Sequence, residues 1–516
     1  MGAPDVLHEV IAHARRDPQH LAAKDLDREL SYGQLVDEAA QLGAGLVARG
    51  VVEGDRVALL IANSVDFVVM ALASLWVGAI FVPLAVTDPE ARLAAIVGDC
   101  DPRVVVSSDA VEGAPAAATL GGVAVTAISE LRHADRVEPL AVSPRPAYAI
   151  YTSGTTGTPK GVLIGTTAFA AAVSAASTAL GLSPSTRTLC VSPFHFDGSF
   201  GTVFTTLYRG GLAVMRPRDA LLFARTFFNT VDGESITFSG FTPSYLRILL
   251  ASPEVGRLAD STLATVALGG EACLASDLVT LRSWAPRLVV FNRYGPTETT
   301  IAVTHQELAP RIIADGTVPI GVPHPGVSFF LVDENGDVIG ESDRVGELYI
   351  GGDQLMDRYW NAPDLTAAVL RRDVVPGETL YRSGDLVFRG GDGRYVYVDR
   401  ADRVIKRSGV RISLIEMGDV LRSLDGVTAA ACVTFDHDGE LGIVAFVITD
   451  RAVSSLDLWR AARVRLPDTM LPDRIDLVDS LPMNKSNKLD ERLLLSNAGL
   501  AAFQPLSQPG RSSPST

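Results

Sequence analysis

Residues 147–164 read AYAIYTSGTTGTPKGVLI, and the fold turns on how they are read. Ala147–Tyr151 is a short apolar run of the kind that forms a buried strand, and Gly161–Ile164 starts a second. Between them lie Gly154 and Gly157, the hydroxyls of Thr152, Ser153, Thr155, Thr156 and Thr158, and the cation Lys160. None of these can pack a core. Glycines let the backbone approach a ligand and turn its N–H groups toward an anion, while hydroxyls and an ammonium add donors and charge. This is the chemistry of a polyphosphate clamp between two strands. A Walker A loop is excluded, because no Ser or Thr follows Lys160 and Pro159 disfavours an immediate helix. A flexible Gly/Thr linker is the plain alternative, but linkers seldom join two apolar strands inside a compact chain.

The stretch closely resembles the phosphate-binding signature of the adenylate-forming superfamily: peptide-synthetase adenylation domains, acyl- and aryl-CoA ligases, and luciferases. The resemblance implies ATP and Mg2+ as cofactors, with Thr152, Ser153, Gly154, Thr155, Thr156, Gly157 and Lys160 on the nucleotide and Thr152 also in the catalytic set. It implies an α/β fold in which a large N-terminal domain of mixed sheets, sandwiched with helices and carrying a β-barrel-like subdomain, precedes a small mobile α+β domain.

The rest of the chain is compatible with that reading. Its 516 residues can bury large cores, and 47% hydrophobic with 20% charged residues is an ordinary soluble composition. A net charge of -15 argues against nucleic acid or an anionic membrane as partner. Cys100, Cys190, Cys273 and Cys432 lie far apart with no CxxC, so reduced, buried thiols of a cytoplasmic protein are expected. Phe67–Val86 carries no charge, yet Gly78 and Pro83 divide it into a buried helix over 66–77 and a buried strand over 79–84. LSYGQL at 30–35 and SLWVGAIFVPL at 74–84 match early family signatures and read as packing elements.

Further signatures follow in order. In TLCVSPFHFDGSFGTVFT, residues 188–205, Asp197 reads locally as a helix cap. By resemblance it takes the position that pairs with a substrate ammonium in amino-acid-activating members, a position acyl- and aryl-acid ligases generally lack. His195 and Phe196 would then close the reacting carboxylate off from water. TVALGGEA places Gly269 and Gly270 where a ligand or another backbone comes close, beside the adenine by resemblance. FNRYGPTETT, residues 291–300, offers Tyr294 as a flat face for adenine and exposes it through the Gly295–Pro296 turn. Thr297 would contact a phosphate, and Glu298 would hold Mg2+, a hard cation suited to carboxylate oxygen. GELYIGGDQLMDRYWN, residues 346–361, is another match, read as mainly structural. In YRSGDL, Asp385 would accept from both ribose hydroxyls.

The basic stretch 393–417 would be a solvated face if taken alone. By resemblance Arg400 contacts ribose and Asp402 is a hinge, dividing an ATP- and substrate-binding domain (1–401) from a mobile C-terminal domain (402–503). Strand-like runs AAACVTF and LGIVAFVI alternate with amphipathic LDLWRAARVRL, which suits a small α+β domain. LPMNKSNKLDER carries the last signature: Asn487 replaces a family glycine and Lys488 aligns with the catalytic lysine, with Lys485 as a nearby competitor. Residues 504–516 are Pro/Ser-rich and expected to be disordered.

The implied reaction is ATP-dependent adenylation of an amino acid, then transfer to the phosphopantetheine thiol of a carrier protein on a separate chain. The separate chain is expected because no carrier-serine or condensation motif occurs. An acyl- or aryl-CoA ligase of the same fold is the alternative, against which Asp197 argues. A nucleotide-binding protein without catalysis fits poorly with Lys160, Glu298, Asp385 and Lys488 all in place. Motif alignment puts Asp197, Phe196, Gly198, Gly201, Gly240, Gly269, Arg293, Ile301 and Ala302 around the substrate. Arg293 faces either outward to a salt bridge or inward to an anion. The FHFDGSFG string resembles enzymes that load β-amino acids as starters for macrolactam polyketides. A β-amino acid is therefore expected, an aspartate-like one being the specific candidate.

Overall fold

The computed structural model describes residues 3–109, 119–152, 159–310, 318–400, 404–407, 410–437, 440–482 and 489–501. The α/β architecture expected from the sequence is present. Contacts divide the chain into two compact units, drawn mainly from residues 1–401 and 402–516.

The larger unit holds two eight-stranded sheets and a six-stranded one. One eight-stranded sheet is ordered 304–307, 289–294, 265–269, 238–241, 187–190, 212–215, 21–24, 29–31, parallel except at its two edge strands. Leu212–Met215 and Phe238–Phe241 are buried at every position, as expected where both faces of a parallel sheet are covered. The other eight-stranded sheet contains the hairpin Pro146–Thr152/Lys160–Gly165, flanked by Arg358–Tyr359 and Ile80–Pro83. Helices Val65–Trp76, Thr166–Ala179 and Asp197–Tyr208 join residues from both sheets in one hydrophobic core. Val65–Trp76 is apolar on nearly all sides and accordingly buried along its length. The strand Ile80–Pro83 follows it, so the uncharged stretch divides at Gly78 as its sequence implies. The six-stranded sheet is antiparallel and brings Leu380–Arg389 against Gly346–Gly352 and Tyr395–Arg400.

The smaller unit has a three-stranded sheet of Val427–His437, Glu440–Thr449 and Arg474–Leu477, with helices Leu414–Arg422, Ser455–Arg463 and Glu491–Asn497. Among the described residues no helix is long and apolar enough to cross a membrane. All four cysteines are buried and free of disulfides.

Candidate active site

The hairpin pairs Thr152 with Lys160, so the Gly/Thr loop closes directly on those two residues. Ser153, Gly154, Thr155, Thr156 and Gly157 themselves lie outside the described residues, as do Asp402, Lys485 and Lys488. Thr152 Oγ1 is buried without a hydrogen-bond partner. Lys160 Nζ donates to Tyr359 Oη at 2.9 Å and stands 3.6 Å from Glu298 Oε1. Tyr359 Oη in turn donates to Glu298 Oε1 at 2.6 Å. Tyr359 reaches this point because Arg358–Tyr359 pairs with the clamp strand itself, Tyr359 opposite Val162. Its role is not visible in the sequence, where GELYIGGDQLMDRYWN reads as packing.

Tyr294 ends the strand Val289–Tyr294 and donates its hydroxyl to Asp385 Oδ2. Both residues are buried, and Ser383 Oγ accepts from the Asp385 amide at 3.0 Å. The aromatic and the ribose candidate are therefore brought together from two different sheets. Gly295 is obligatory at the next position: a Cβ there would lie 2.6 Å from Ala302 Cα and 2.9 Å from Val303 N. Asp385 lies opposite Arg400 in register across its strand pair.

Asp197 is the first residue of its helix, and Phe196, the N-cap, makes no side-chain cap bond. The capping reading therefore has no support from the helix geometry. Asp197 Oδ2 is buried and unpartnered. Burial pushes the carboxyl up to about 6, against the pull of Thr297, the Arg293 charge and the Gly198 N–H. His195 packs its ring 4.2 Å from that of Phe196, and burial, assisted by the Arg92 charge, pushes it down to about 4.

Arg293 faces inward. Its guanidinium lies within 3.4 Å of where a Cβ on Gly198, Gly201 or Gly240 would stand, and its stem fills the space over Gly269. Four glycines from a helix and two strands thus make room for one arginine, which donates to Gly198 O at 3.3 Å. Residue 293 is 8% exposed, and burial depresses the guanidinium, with the Asp197 charge opposing. Ile301 packs against Gly201, and Ala302 is buried beside the Gly295 turn. Gly270 has φ +86°, so a side chain there would be strained.

The donor set fits ATP with a divalent cation. Thr152 keeps a buried hydroxyl unused, Lys160 supplies positive charge, and Glu298 is a fully buried carboxylate two residues beyond the Pro296 turn.

These features are compatible with a nucleotide site beside a pocket that holds a carboxylate and a guanidinium. The family described as "AMP-binding enzyme" matches residues 10–360, and the chain belongs to it, within the adenylate-forming superfamily of AMP-forming ligases. To isonitrile lipopeptide synthase of Streptomyces coeruleorubidus it is 33% identical over 507 residues, covering 96% of this chain and 33% of that protein. It is 32% identical over 486 residues to tyrocidine synthase 3 of Brevibacillus parabrevis, covering 93% of this chain and 7% of that protein. The chain thus spans a third of the first relative and a small fraction of the second. The solved structure of IdnL1 superposes with a TM-score of 0.81 at 27% identity, covering 93% of this chain and 99% of that one.

Proposed function

We propose that this chain activates the carboxylate of an amino acid as its adenylate, using ATP and Mg2+, and passes the acyl group to a carrier-protein thiol. One observation carries the amino-acid reading: Asp197 Oδ2 is buried, unpartnered and beside an inward-facing Arg293. Thr297 and the Gly198 N–H already reach this carboxyl, but leaving one buried oxygen unpaired is costly, and a substrate ammonium would relieve it. Arg293 needs an anion for the same reason, which a second carboxylate on the substrate would supply through a bidentate contact. An aspartate-like β-amino acid, activated at its side-chain carboxyl, satisfies both. The likeness to a protein named as a lipopeptide synthase supports amino-acid activation in general.

ATP supplies the leaving group that turns a poorly electrophilic carboxylate into a reactive one. The protein's share is positioning and charge. Lys160, Thr152 and the 153–158 loop would hold phosphate oxygens, Thr297 would add a contact, and Glu298 would hold Mg2+. Tyr294, Gly269, Gly270 and Gly295 would border the adenine, with Asp385 and Arg400 on the ribose. Lys488 would bridge the substrate carboxylate and α-phosphate, and rotation of 402–503 about Asp402 would open the thiol path.

Pyrophosphate exchange with aspartate and 3-methylaspartate, against β-alanine, 3-aminobutyrate and β-phenylalanine, tests the substrate. A preference for an uncharged side chain would defeat the dicarboxylate reading, and equal use of deaminated acids would favour a CoA ligase. Lys488→Ala should abolish exchange while sparing thiol transfer from preformed adenylate. Asp402→Pro should spare exchange and block thioester formation.

A further inference from the structure

The turn after Glu298 is held in a conformation that its residues do not favour. Thr300 and Ile301 have φ +60° and +71°, and the Ala302 N–H donates to Thr300 O at 2.8 Å, closing a γ-turn centred on Ile301. For a β-branched residue this backbone is an outlier and persists only where surroundings impose it. Its outcome is visible: the turn presses Ile301 Cγ2 onto Gly201, where an added Cβ would approach to 2.5 Å, beside the Arg293 guanidinium.

Gln354, 2% exposed, bonds to the carbonyls of this turn. Its Nε2 donates to Ala302 O at 2.7 Å, with Thr300 O at 3.3 Å and Thr299 O at 3.4 Å. The Gln354 carbonyl accepts from Thr300 Oγ1 at 2.7 Å, and the Met356 N–H donates to Glu298 O at 2.8 Å. Since the carboxamide nitrogen serves carbonyls, Gln354 Oε1 must accept, and His324 Nδ1, 2.9 Å away, must donate. His324 Nε2 is then an acceptor for His305 Nδ1–H at 2.9 Å, and the two rings lie edge to edge with 7° between their planes. Burial keeps both imidazoles depressed and hence neutral, which this one-way chain requires. His305 lies opposite Arg293 in register, so the chain runs from the Arg293 strand pair to the turn below the pocket.

We propose that Gln354, oriented by His324 and His305, is a positioning residue that sets the specificity wall at Ile301 and the backbone of Glu298 together. It makes one device of what the motifs present as two, a substrate pocket and a cation-binding carboxylate. The inference rests on the adenylation reading for its catalytic consequence, and on geometry alone for the turn itself.

The test uses the full chain and Gln354→Met, which keeps length, leaves the main-chain bond from Thr300 Oγ1 and removes every polar contact of the side chain, alongside His324→Asn and His324→Gln. Asn places a donor where His324 Nδ1 stands, whereas Gln reproduces only the Nε2 position. Two readouts need no turnover: hydrogen exchange at the Ala302 and Val303 amides, and the Mg2+ dependence of ATP binding by calorimetry. Gln354→Met should lose protection and raise half-saturating Mg2+ by about tenfold, the scale of one or two lost hydrogen bonds. Pyrophosphate exchange should fall in kcat, with discrimination between aspartate and 3-aminobutyrate relaxed. His324→Asn should stay within about twofold of wild type while His324→Gln follows Gln354→Met. A folded Gln354→Met with unchanged protection and Mg2+ dependence overturns the proposal; if that variant does not fold, equal loss in the two His324 variants does. Absence of exchange in wild type with every acid would instead sink the adenylation reading, leaving the amide comparison intact.

Discussion

Two cations line the candidate site, Arg293 buried and Lys160 half-buried, and they are built differently. Lys160 is closed onto the protein: Tyr359 and Glu298 both lie within 3.6 Å, and the three groups form one local network. Arg293 has a carboxylate for a neighbour in Asp197, yet its hydrogen bond goes to a carbonyl and Asp197 Oδ2 is left without a partner. A closed network is preorganised and keeps its shape before anything binds. An open pair carries desolvation cost that a ligand of matching charge can offset. Under the proposed function the difference would place selectivity: the Lys160 side would handle a group common to every turnover, and the Arg293 side would choose the acid.

The largest expected effect tests the open pair. Arg293→Ala should lower kcat/KM for an aspartate-like substrate by about a thousandfold, as breaking a buried charge contact does. The ratio of aspartate to 3-aminobutyrate in pyrophosphate exchange should invert. An unchanged ratio would show that Arg293 does not touch the substrate. Next comes the closed side, where Glu298→Gln keeps an acceptor for Tyr359 but removes the charge. Exchange should slow by about a hundredfold for every acid alike, the scale of one electrostatic contact to the reacting group. Selective loss for dicarboxylates would blur the division drawn here.

Tyr359→Phe is a milder probe of the same network. Losing a hydroxyl bonded to a carboxylate should cost about tenfold in exchange, with higher half-saturating Mg2+ and no change in acid preference. The smallest effect is a stability one. Burial raises Asp197 from 3.8 to about 6, so the folded state holds its proton more tightly than the unfolded state. Its contribution is full below about pH 4 and is lost as pH rises through about 6. Asp197→Asn should therefore raise Tm by about 1–3 °C at about pH 8 and hardly at all at about pH 4. In wild type, kcat/KM for an amino acid should climb with pH up to about 6, as Asp197 ionises to meet the ammonium, and Asp197→Asn should abolish that limb.

Much of the scaffold was legible because its causes are local. Apolar runs such as 79–84 and the break at Gly78 follow from residue types within a few positions, and so do the hairpin strands on either side of the Gly/Thr loop. Tyr359, Gln354, His305 and His324 were not legible as site residues. Each acts through a partner more than fifteen positions away, and their own segments look like ordinary packing. A buried Gln two residues beyond Gly352 was the one signal available, since a carboxamide with no local turn to serve must find remote carbonyls.

The sequence by itself determined the class of chemistry: a Gly/Thr clamp ending in Lys160, a carboxylate after a Gly-Pro turn at Glu298, and a carboxylate at Asp197 flanked by Phe196 and Gly198. Those signals are written in consecutive residues. Which way Arg293 points was decided only in three dimensions. On its strand, Asn292 is committed to Pro319 O on one side, while Arg293 turns to the other, over Gly269 of the neighbouring strand and toward Gly198, Gly201 and Gly240. Strand alternation makes the two faces available, but it takes the pairing of 265–269 with 289–294 and the placement of a separate helix to make one of them a glycine-lined cavity.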